Sequence, residues 1–174
     1  MRNKHIDLYT DGATSGNGTD KARGGWGYIY NSDFGYKTGY GGELNTTNNR
    51  MELTAILKGI EAALVQYNDC EVDMCIYSDS AYVINCYKDE WYKNWEKNGW
   101  VNSARKPVAN KDLWEKLIPY FKDEHFEFFK VKGHSTNELN NKVDALARKG
   151  ANEIKNQAEH YPPGEGWENE FLNG

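Results

Sequence analysis

The sequence predicts an α/β fold in which a mixed sheet of about five strands is flanked by helices. Residues 4–44 contain three successive β-rich runs separated by glycines and turn residues. Beyond residue 46, segments with helical spacing of apolar residues alternate with two further β-rich runs. Short connections favour antiparallel pairs, whereas helical crossovers favour parallel ones. We therefore expect three antiparallel strands, followed by strands parallel to the first.

The first three strands are predicted from alternation and from aromatic content. Residues 4–11 alternate apolar side chains with polar or aromatic ones, which is the period-two pattern of a strand. The glycine-rich stretch 12–25 is expected to form a loop. Residues 26–31 and 34–44 are rich in tyrosine and lie on either side of a short turn, so they predict a hairpin.

The rest of the chain predicts helices with two strands between them. Threonine and asparagine at 46–49 are candidate caps for a helix that runs from Met51 to about Tyr67. Pro119 is expected to shorten a later helix, because it lacks the backbone donor. The later segments, in order, are a strand at 72–78, a polar helical segment at 80–99, a helix at 112–121, a strand at 125–133 and a helix at 140–154.

Composition excludes several classes of protein. The 174 residues are 39% apolar and 27% charged, which suits one domain with its own core. No apolar run approaches the length of a membrane span, and the first residues lack the apolar core of a signal peptide. Cys70, Cys75 and Cys86 are odd in number and lack CxxC spacing, which favours free thiols. We therefore expect a cytoplasmic protein.

The net charge of −5 argues against nucleic-acid binding when taken alone, since backbone affinity comes from lysine and arginine. The charge is unevenly distributed, however. Residues 152–174 carry five acids and one lysine, whereas residues 80–111 carry six cations and three acids. The global sign therefore does not exclude a nucleic-acid partner.

Four acidic residues lie where an α/β fold brings chain segments together. Asp11 ends the first strand and Asp79 follows the fourth, so parallel neighbours would place both at one sheet edge. Glu52 falls in the first turn of the helix predicted from Met51, and Asp144 in an early turn of the last helix. Singly, such acids are more often turn formers or helix caps. Converging, they would repel one another and need hard cations such as Mg²⁺ or Mn²⁺.

Five ordered segments resemble the motifs of the type 1 ribonuclease H family. The similarity implies a ribonuclease H-like fold, with a catalytic domain at 1–155 and an acidic tail at 156–174. Five motifs in the family's order are a far stronger signal than any one of them. The segments are YTDGA at 9–13, TTNNRMEL at 46–53, YSDSAYV at 77–83, VKGH at 131–134 and NNKVDALA at 140–147, with a tryptophan-rich stretch at 91–117.

This resemblance implies an endoribonuclease that cuts the RNA strand of RNA–DNA hybrids and leaves 5′-phosphate and 3′-hydroxyl ends. Asp11, Glu52, Asp79 and Asp144 match the family's carboxylates, which hold two divalent ions, Mg²⁺ with Mn²⁺ as an alternative. His134 matches a mobile-loop histidine linked to proton handling or product release. The implied partner is the hybrid, with no membrane, and we expect a monomer.

The resemblance also implies substrate contacts, and residues 80–111 match a basic segment that grips the DNA strand. An alternative role for Asn48 and Asn49 is helix capping, and Trp100 and Trp114 are expected to be packing anchors instead. The implied contacts are Asn17, Asn48 and Asn49 for reading the hybrid, Thr47 and Asn110 for a DNA-strand phosphate, Trp91 and Trp95 as stacking surfaces, and Asn140.

Three departures from the family pattern bear on these contacts. Ala81 stands where many members have a glutamine that contacts the hybrid, and the loop at 16–25 is longer than usual. The tail from Glu159 to Gly174 has no counterpart in the family pattern. In addition, the first strand begins close to Met1, so no separate N-terminal hybrid-binding module is expected. Two alternative functions are an integrase-like or junction-resolving DNase and a non-catalytic hybrid- or RNA-binding module. The asparagine pairs and tryptophans disfavour the first, and the four acids disfavour the second.

Overall fold

The computed structural model of the chain describes residues 3–15, 22–132 and 137–160, with side chains up to Ile154. Its strands are β1 (Lys4–Ser15), β2 (Arg23–Ser32), β3 (Gly35–Leu44), β4 (Val72–Ser78) and β5 (Phe126–Lys130). They form one sheet in the order β3-β2-β1-β4-β5. The first three strands are antiparallel, and β4 and β5 run parallel to β1. The predicted mixed five-stranded sheet is therefore confirmed.

Helices cover both faces of this sheet. The helices are α1 (Asn48–Gln66), α2 (Ala81–Asp89), α3 (Trp91–Asn98), α4 (Lys111–Phe121) and α5 (Glu138–His160). Helix α1 packs at Gly59 against Leu8, whereas α5 packs against Gly25 and Gly27. Successive strand residues point to opposite faces, so α1 and α5 lie on opposite sides of the sheet. None of the described helices is long and apolar enough to span a membrane.

The main core lies between the sheet and helices α1, α2 and α4. Ile6, Leu8 and Ile76 of the central strands are fully buried there, together with Trp114 of α4. Trp100 packs half-buried against the same cluster. The expectation that these two tryptophans serve packing is therefore confirmed.

The predicted loop at 12–25 was wrong at both ends. Strand β1 continues through Ser15 and β2 begins at Arg23, with Ala13 paired to Gly25. Gly12, Gly24 and Gly25 lie within these strands, at positions where α1 or α5 approaches the sheet too closely for a side chain. These three glycines therefore allow the helices to pack closely on the sheet and do not mark a loop. The predicted loop was too long.

Three helical predictions also needed correction. The segment 80–99 forms two helices, because Glu90 adopts a left-handed conformation with φ 56°. Helix α4 continues through Pro119 to Phe121, whose ring is buried in the core. The last helix is longer than predicted at both ends. Among the strands, the one predicted at 125–133 spans only five residues.

Candidate active site

Three of the four predicted carboxylates meet at one edge of the sheet. Asp11 lies on β1, Asp79 directly follows β4, and Glu52 projects from α1. One carboxylate oxygen of each lies within 4.8 Å of the others. Because α1 begins at Asn48, three residues earlier than predicted, Glu52 occupies its second turn. The cap by Thr47, whose Oγ1 accepts from the Arg50 backbone N–H at 3.2 Å, explains this earlier start.

Asp11 and Gly12 lie within β1 and not at its end as predicted, and Gly12 makes this convergence possible. A Cβ on Gly12 would lie 2.6 Å from the backbone nitrogen of Glu52 and 2.6 Å from the carbonyl carbon of Met51. Any side chain there would force α1 away from β1. Gly12 also donates its backbone N–H to Oδ1 of Asp11 at 2.9 Å. The sequence analysis did not assign Gly12 to the site, although a glycine directly after a candidate catalytic aspartate was a usable signal.

Burial and mutual repulsion shift the titration of the buried acids. Desolvation, followed by the charge of Asp79, raises the pKa of Asp11 from 3.8 to about 8. Glu52 is 4% exposed, and desolvation followed by the charge of Asp11 raises its pKa well above the usual range. Both shifts show that this cluster holds negative charge at a cost in free energy.

The cluster suits a hard divalent cation. Oε2 of Glu52 is buried and has no hydrogen-bond partner within the described part of the chain. An unsatisfied buried carboxylate oxygen among other carboxylates is satisfied by a cation. The donors at this position are all oxygens, which favours Mg²⁺ or Mn²⁺ over softer metals.

Asp144 lies in the same cleft but outside the tight cluster. Its Oδ2 is 2.9 Å from a guanidinium nitrogen of Arg148, one turn further along α5. Its charge nevertheless contributes to the raised pKa of Asp11. The structure therefore brings all four acids to one cleft, with Asp144 held in an ion pair.

Amide side chains line the rest of this cleft, which has a volume of about 420 Å³. Asn48 and Asn49 enter it from the start of α1, and Asn140 enters from the start of α5. Asn140 is buried, and its Oδ1 lacks a hydrogen-bond partner among the described residues. Other lining residues that the sequence analysis did not single out are Ser80, Tyr82 and Asn141. Asn141 follows Asn140 directly, so the amide pair was the available signal.

Thr47 and Asn110 are connected through Arg50. Thr47 caps α1 at the Arg50 backbone, and the Arg50 guanidinium donates to Oδ1 of Asn110 at 3.5 Å. The same guanidinium forms two hydrogen bonds to Asp112, at 3.0 and 2.6 Å. Arg50 therefore joins α1 to α4 and holds both predicted phosphate contacts in one region. The sequence analysis did not assign Arg50 a role.

Trp91 and Trp95 lie on one side of α3, as their spacing predicted. Their ring centroids are 6.4 Å apart, and both rings are half-buried against the core. They line a separate cleft of about 600 Å³ that also includes Lys97. Trp95 packs on Trp114 at 5.5 Å, so part of its surface is committed to packing. Asn17 and His134 lie outside the described residues.

The fold and the cluster of carboxylates point to the class of nucleases. The family model for RNase H matches residues 3–152, and the chain belongs to this family. A ribonuclease H of Thermoanaerobacter sp. is 44% identical over 142 residues, covering 82% of this chain and 86% of the relative. A ribonuclease H of Chlorobium limicola is 45% identical over 157 residues, covering 89% and 99%. The protein is therefore a nuclease, as predicted.

Solved structures with the same fold are more distant in sequence. LC9-RNase H1, a type 1 RNase H with the type 2 active-site motif, has a TM-score of 0.72 at 23% identity, covering 88% of this chain and 74% of that one. LC11-RNase H1 in complex with RNA/DNA hybrid has a TM-score of 0.63 at 19% identity, covering 86% and 98%. At these identities the comparison establishes the ribonuclease H fold.

Proposed function

We propose that this protein hydrolyses the RNA strand of RNA–DNA hybrids, using divalent ions held by four carboxylates. The observation that carries the proposal is the meeting of Asp11, Glu52 and Asp79 within 4.8 Å in a cleft that Asp144 also lines. The curated relatives are ribonucleases H, and LC11-RNase H1 is solved with an RNA/DNA hybrid. Both findings support the hybrid as the substrate class.

The four carboxylates would hold two Mg²⁺ ions, with Mn²⁺ as an alternative. Divalent ions bound there supply a water of lowered pKa and stabilise negative charge on the leaving oxygen. Asp11 and Glu52 have raised pKa values because burial and the neighbouring acids disfavour their charged forms. A bound cation would offset that cost and stabilise both carboxylates. The proposed products carry 5′-phosphate and 3′-hydroxyl ends.

The amides of the cleft supply the proposed choice of RNA over DNA. A 2′-hydroxyl both donates and accepts a hydrogen bond, and a carboxamide side chain does the same. Asn48, Asn49 and Asn140 line the same cleft as the carboxylates. They would therefore contact a nucleic-acid strand bound in it. The Oδ1 of Asn140, which is buried and has no hydrogen-bond partner among the described residues, would be satisfied by such a hydroxyl.

Contacts farther from the carboxylates complete the proposal. Thr47 and Asn110 would hold a DNA-strand phosphate through neutral donors, with Arg50 beside them. Trp91 and Trp95 belong to the segment 80–111, which has a net charge of +3. Both side chains would pack against the DNA strand. Asn17 and His134 remain proposals from the family pattern.

We also propose a catalytic domain at 1–155 followed by an acidic tail at 156–174, although the backbone of α5 continues to His160. Cys70, Cys75 and Cys86 are free thiols in the structure, which supports the proposed cytoplasmic location. The proposed state is a monomer.

Cleavage of three labelled duplexes tests this function. RNA–DNA hybrid, duplex DNA and duplex RNA are each incubated with Mg²⁺ and the wild type, Asp79→Asn or Asp69→Asn. We expect cleavage of the hybrid's RNA strand alone, with a loss of at least about a thousandfold in rate for Asp79→Asn, since it removes a metal ligand. Asp69→Asn is the matched control, because Asp69 lies in an exposed turn outside the cleft.

Each alternative function predicts a different outcome in the same assay. Cleavage of duplex DNA would indicate an integrase-like or junction-resolving DNase, and hybrid binding without cleavage would indicate a binding module. Equal loss of activity in Asp79→Asn and Asp69→Asn would contradict the assignment of the carboxylate site. The chemistry of the cut ends is read by ligation of the products.

A further inference from the structure

A second group of side chains of metal-ligating types lies on β1 and β4, farther toward the amino ends of these strands than the carboxylate cluster. His5 and Asp7 are on β1, and Cys75 is on β4. A ring nitrogen of His5, a carboxylate oxygen of Asp7 and Sγ of Cys75 all lie within 4.8 Å of one another. Nothing in the proposed ribonuclease reaction uses these three residues.

The sheet itself places the three donors together. Asp7 pairs directly with Cys75 in the parallel β1–β4 ladder, so both side chains point to the same face. His5 is two residues before Asp7 and therefore shares that face. Nε2 of His5 lies 3.1 Å from Oδ1 of Asp7, and their side chains are 60% and 41% exposed. An ion from solvent can therefore reach donors whose positions are fixed by backbone pairing.

The surroundings favour a cation. Glu127 of β5 pairs with Cys75 on the other side. Desolvation, followed by the charges of Asp7 and Glu127, raises the pKa of the Cys75 thiol. The Tyr77 hydroxyl donates to Oδ1 of Asp7 at 3.5 Å. Asp73 is already engaged, since it accepts from His125 Nδ1 at 2.7 Å and from Asn3 at 2.8 Å. The group therefore has an excess of negative charge and a defined set of three ligands.

We propose that His5, Asp7 and Cys75 form a site for a thiolate-binding divalent cation of the zinc type. Imidazole nitrogen, carboxylate oxygen and thiolate sulfur are the three ligand types that Zn²⁺ accepts, and three protein ligands leave a fourth position for water. The sulfur ligand disfavours Mg²⁺ and Ca²⁺, which prefer oxygen. On binding, the Cys75 thiol releases its proton to solvent.

This site is separate from the carboxylate cluster. Asp7 and Asp11 are four residues apart on one strand, which is roughly 13 Å at 3.3 Å per residue. Tyr9 and Tyr77 lie between the two groups, with ring centroids 4.7 Å apart. The ion would join the side chains of the two central strands at this end of the sheet. Its expected consequence is higher thermal stability of the whole chain.

Cobalt(II) is the probe, because a cobalt–thiolate bond gives a charge-transfer absorption band that oxygen ligands do not give. The full-length wild type, freed of metal by a chelator that is then removed, is titrated with Co²⁺ and then with competing Zn²⁺. We expect a thiolate-to-cobalt band that saturates at one Co²⁺ per chain beyond any taken up by the carboxylates, and that is bleached by Zn²⁺. Asp79→Asn should show the same band, since the carboxylate cluster contains no sulfur.

Three variants locate the ligand set. Cys75→Ser should abolish the band, and His5→Ala should weaken cobalt binding about tenfold or more. Cys70→Ser is the matched control, because that exposed thiol lies outside the cluster. Circular dichroism of each metal-free variant separates removal of a ligand from disruption of the fold.

The proposal is overturned if the wild type shows no band, if the band survives in folded Cys75→Ser, or if Cys70→Ser removes it. A rise in the melting temperature with Zn²⁺ in Asp79→Asn, absent in the double variant Asp79→Asn/Cys75→Ser, supports it independently. Neither readout depends on hybrid cleavage, so failure here leaves the proposed ribonuclease function untouched.

Discussion

At the scale of single residues, the site combines groups that are unfavourable one by one. Glu52 is buried with an oxygen that has no hydrogen-bond partner in the described part of the chain, and Asp11 is buried beside Asp79. The metal-free protein therefore holds charge at a cost in free energy. Gly12 permits that arrangement, since any larger residue would separate α1 from β1. The same features that destabilise the empty cluster would be relieved by the divalent cations proposed to bind there.

Asp79→Asn should therefore stabilise the metal-free protein while it abolishes cleavage. The substitution removes a charge that raises the pKa values of both Asp11 and Glu52, and we expect a gain of about 1 kcal/mol in the free energy of unfolding. Because the folded pKa of Asp11 lies above its unfolded value, the folded state binds more protons, and wild-type stability falls as pH rises from about 4 to about 8.

Urea unfolding in chelator across that pH range measures both effects. The wild-type free energy of unfolding should decrease with pH more steeply than that of Asp79→Asn, and Mg²⁺ should stabilise the wild type more than the variant. A variant less stable than the wild type in chelator at neutral pH would contradict this account of the cluster.

At the scale of secondary structure, local patterns predicted which elements exist better than where they end. The alternation in β1 and the apolar stripe of α1 follow from periods that the sequence displays directly. The extent of β1 beyond Gly12 and the break at Glu90 depend on packing between helices and sheet and on a left-handed backbone. The meeting of Asp11 with Glu52 is a tertiary contact, so spacing alone left it open and family motifs were needed.

Helix α5 is held against the sheet by glycines on both sides of the contact. A Cβ on Gly150 would lie 2.0 Å from the carbonyl oxygen of Gly41, and one on Gly25 would lie 1.9 Å from that of Ala147. Such contacts are with backbone atoms, so a change of rotamer cannot relieve them. The position of Asp144 in the cleft thus depends on glycines that take no part in the chemistry.

Gly150→Ala should destabilise the protein although alanine is the better helix former. Alanine gains about 1 kcal/mol in helix propensity, whereas displacement of α5 costs more, and we expect a net loss of about 1–3 kcal/mol. Asn152→Ala, on the exposed side of the same helix, should change stability by less than about 0.5 kcal/mol. Thermal unfolding of the two variants, with hybrid cleavage rates well below either midpoint, checks both stability and the placement of Asp144.

At the scale of the whole molecule, charge is divided between regions with different roles. Residues 152–174 carry most of the net −5, and residues 1–151 sum to −1. Part of that remaining acidity is the carboxylate cluster, which divalent ions would neutralise. The segment 80–111 carries a net +3 and contains Trp91 and Trp95, so a basic segment lies on a chain that is acidic overall. Hybrid affinity should therefore be modest and sensitive to salt.

Two sets of substitutions separate direct binding of phosphates from long-range repulsion. Hybrid binding is measured in the Asp79→Asn background, so that the hybrid stays intact. Lys97→Gln with Lys106→Gln should weaken binding and reduce the slope of log affinity against log salt by about one for each phosphate that is no longer neutralised. Replacing Glu165, Glu168 and Glu170 by glutamine should strengthen binding severalfold at low salt, with little benefit above the salt concentration at which charges are screened. Fluorescence anisotropy of a labelled hybrid over a salt series gives both quantities. An affinity independent of salt, or a tail variant that binds no better than its parent, would show that charge is not what limits hybrid binding in this protein.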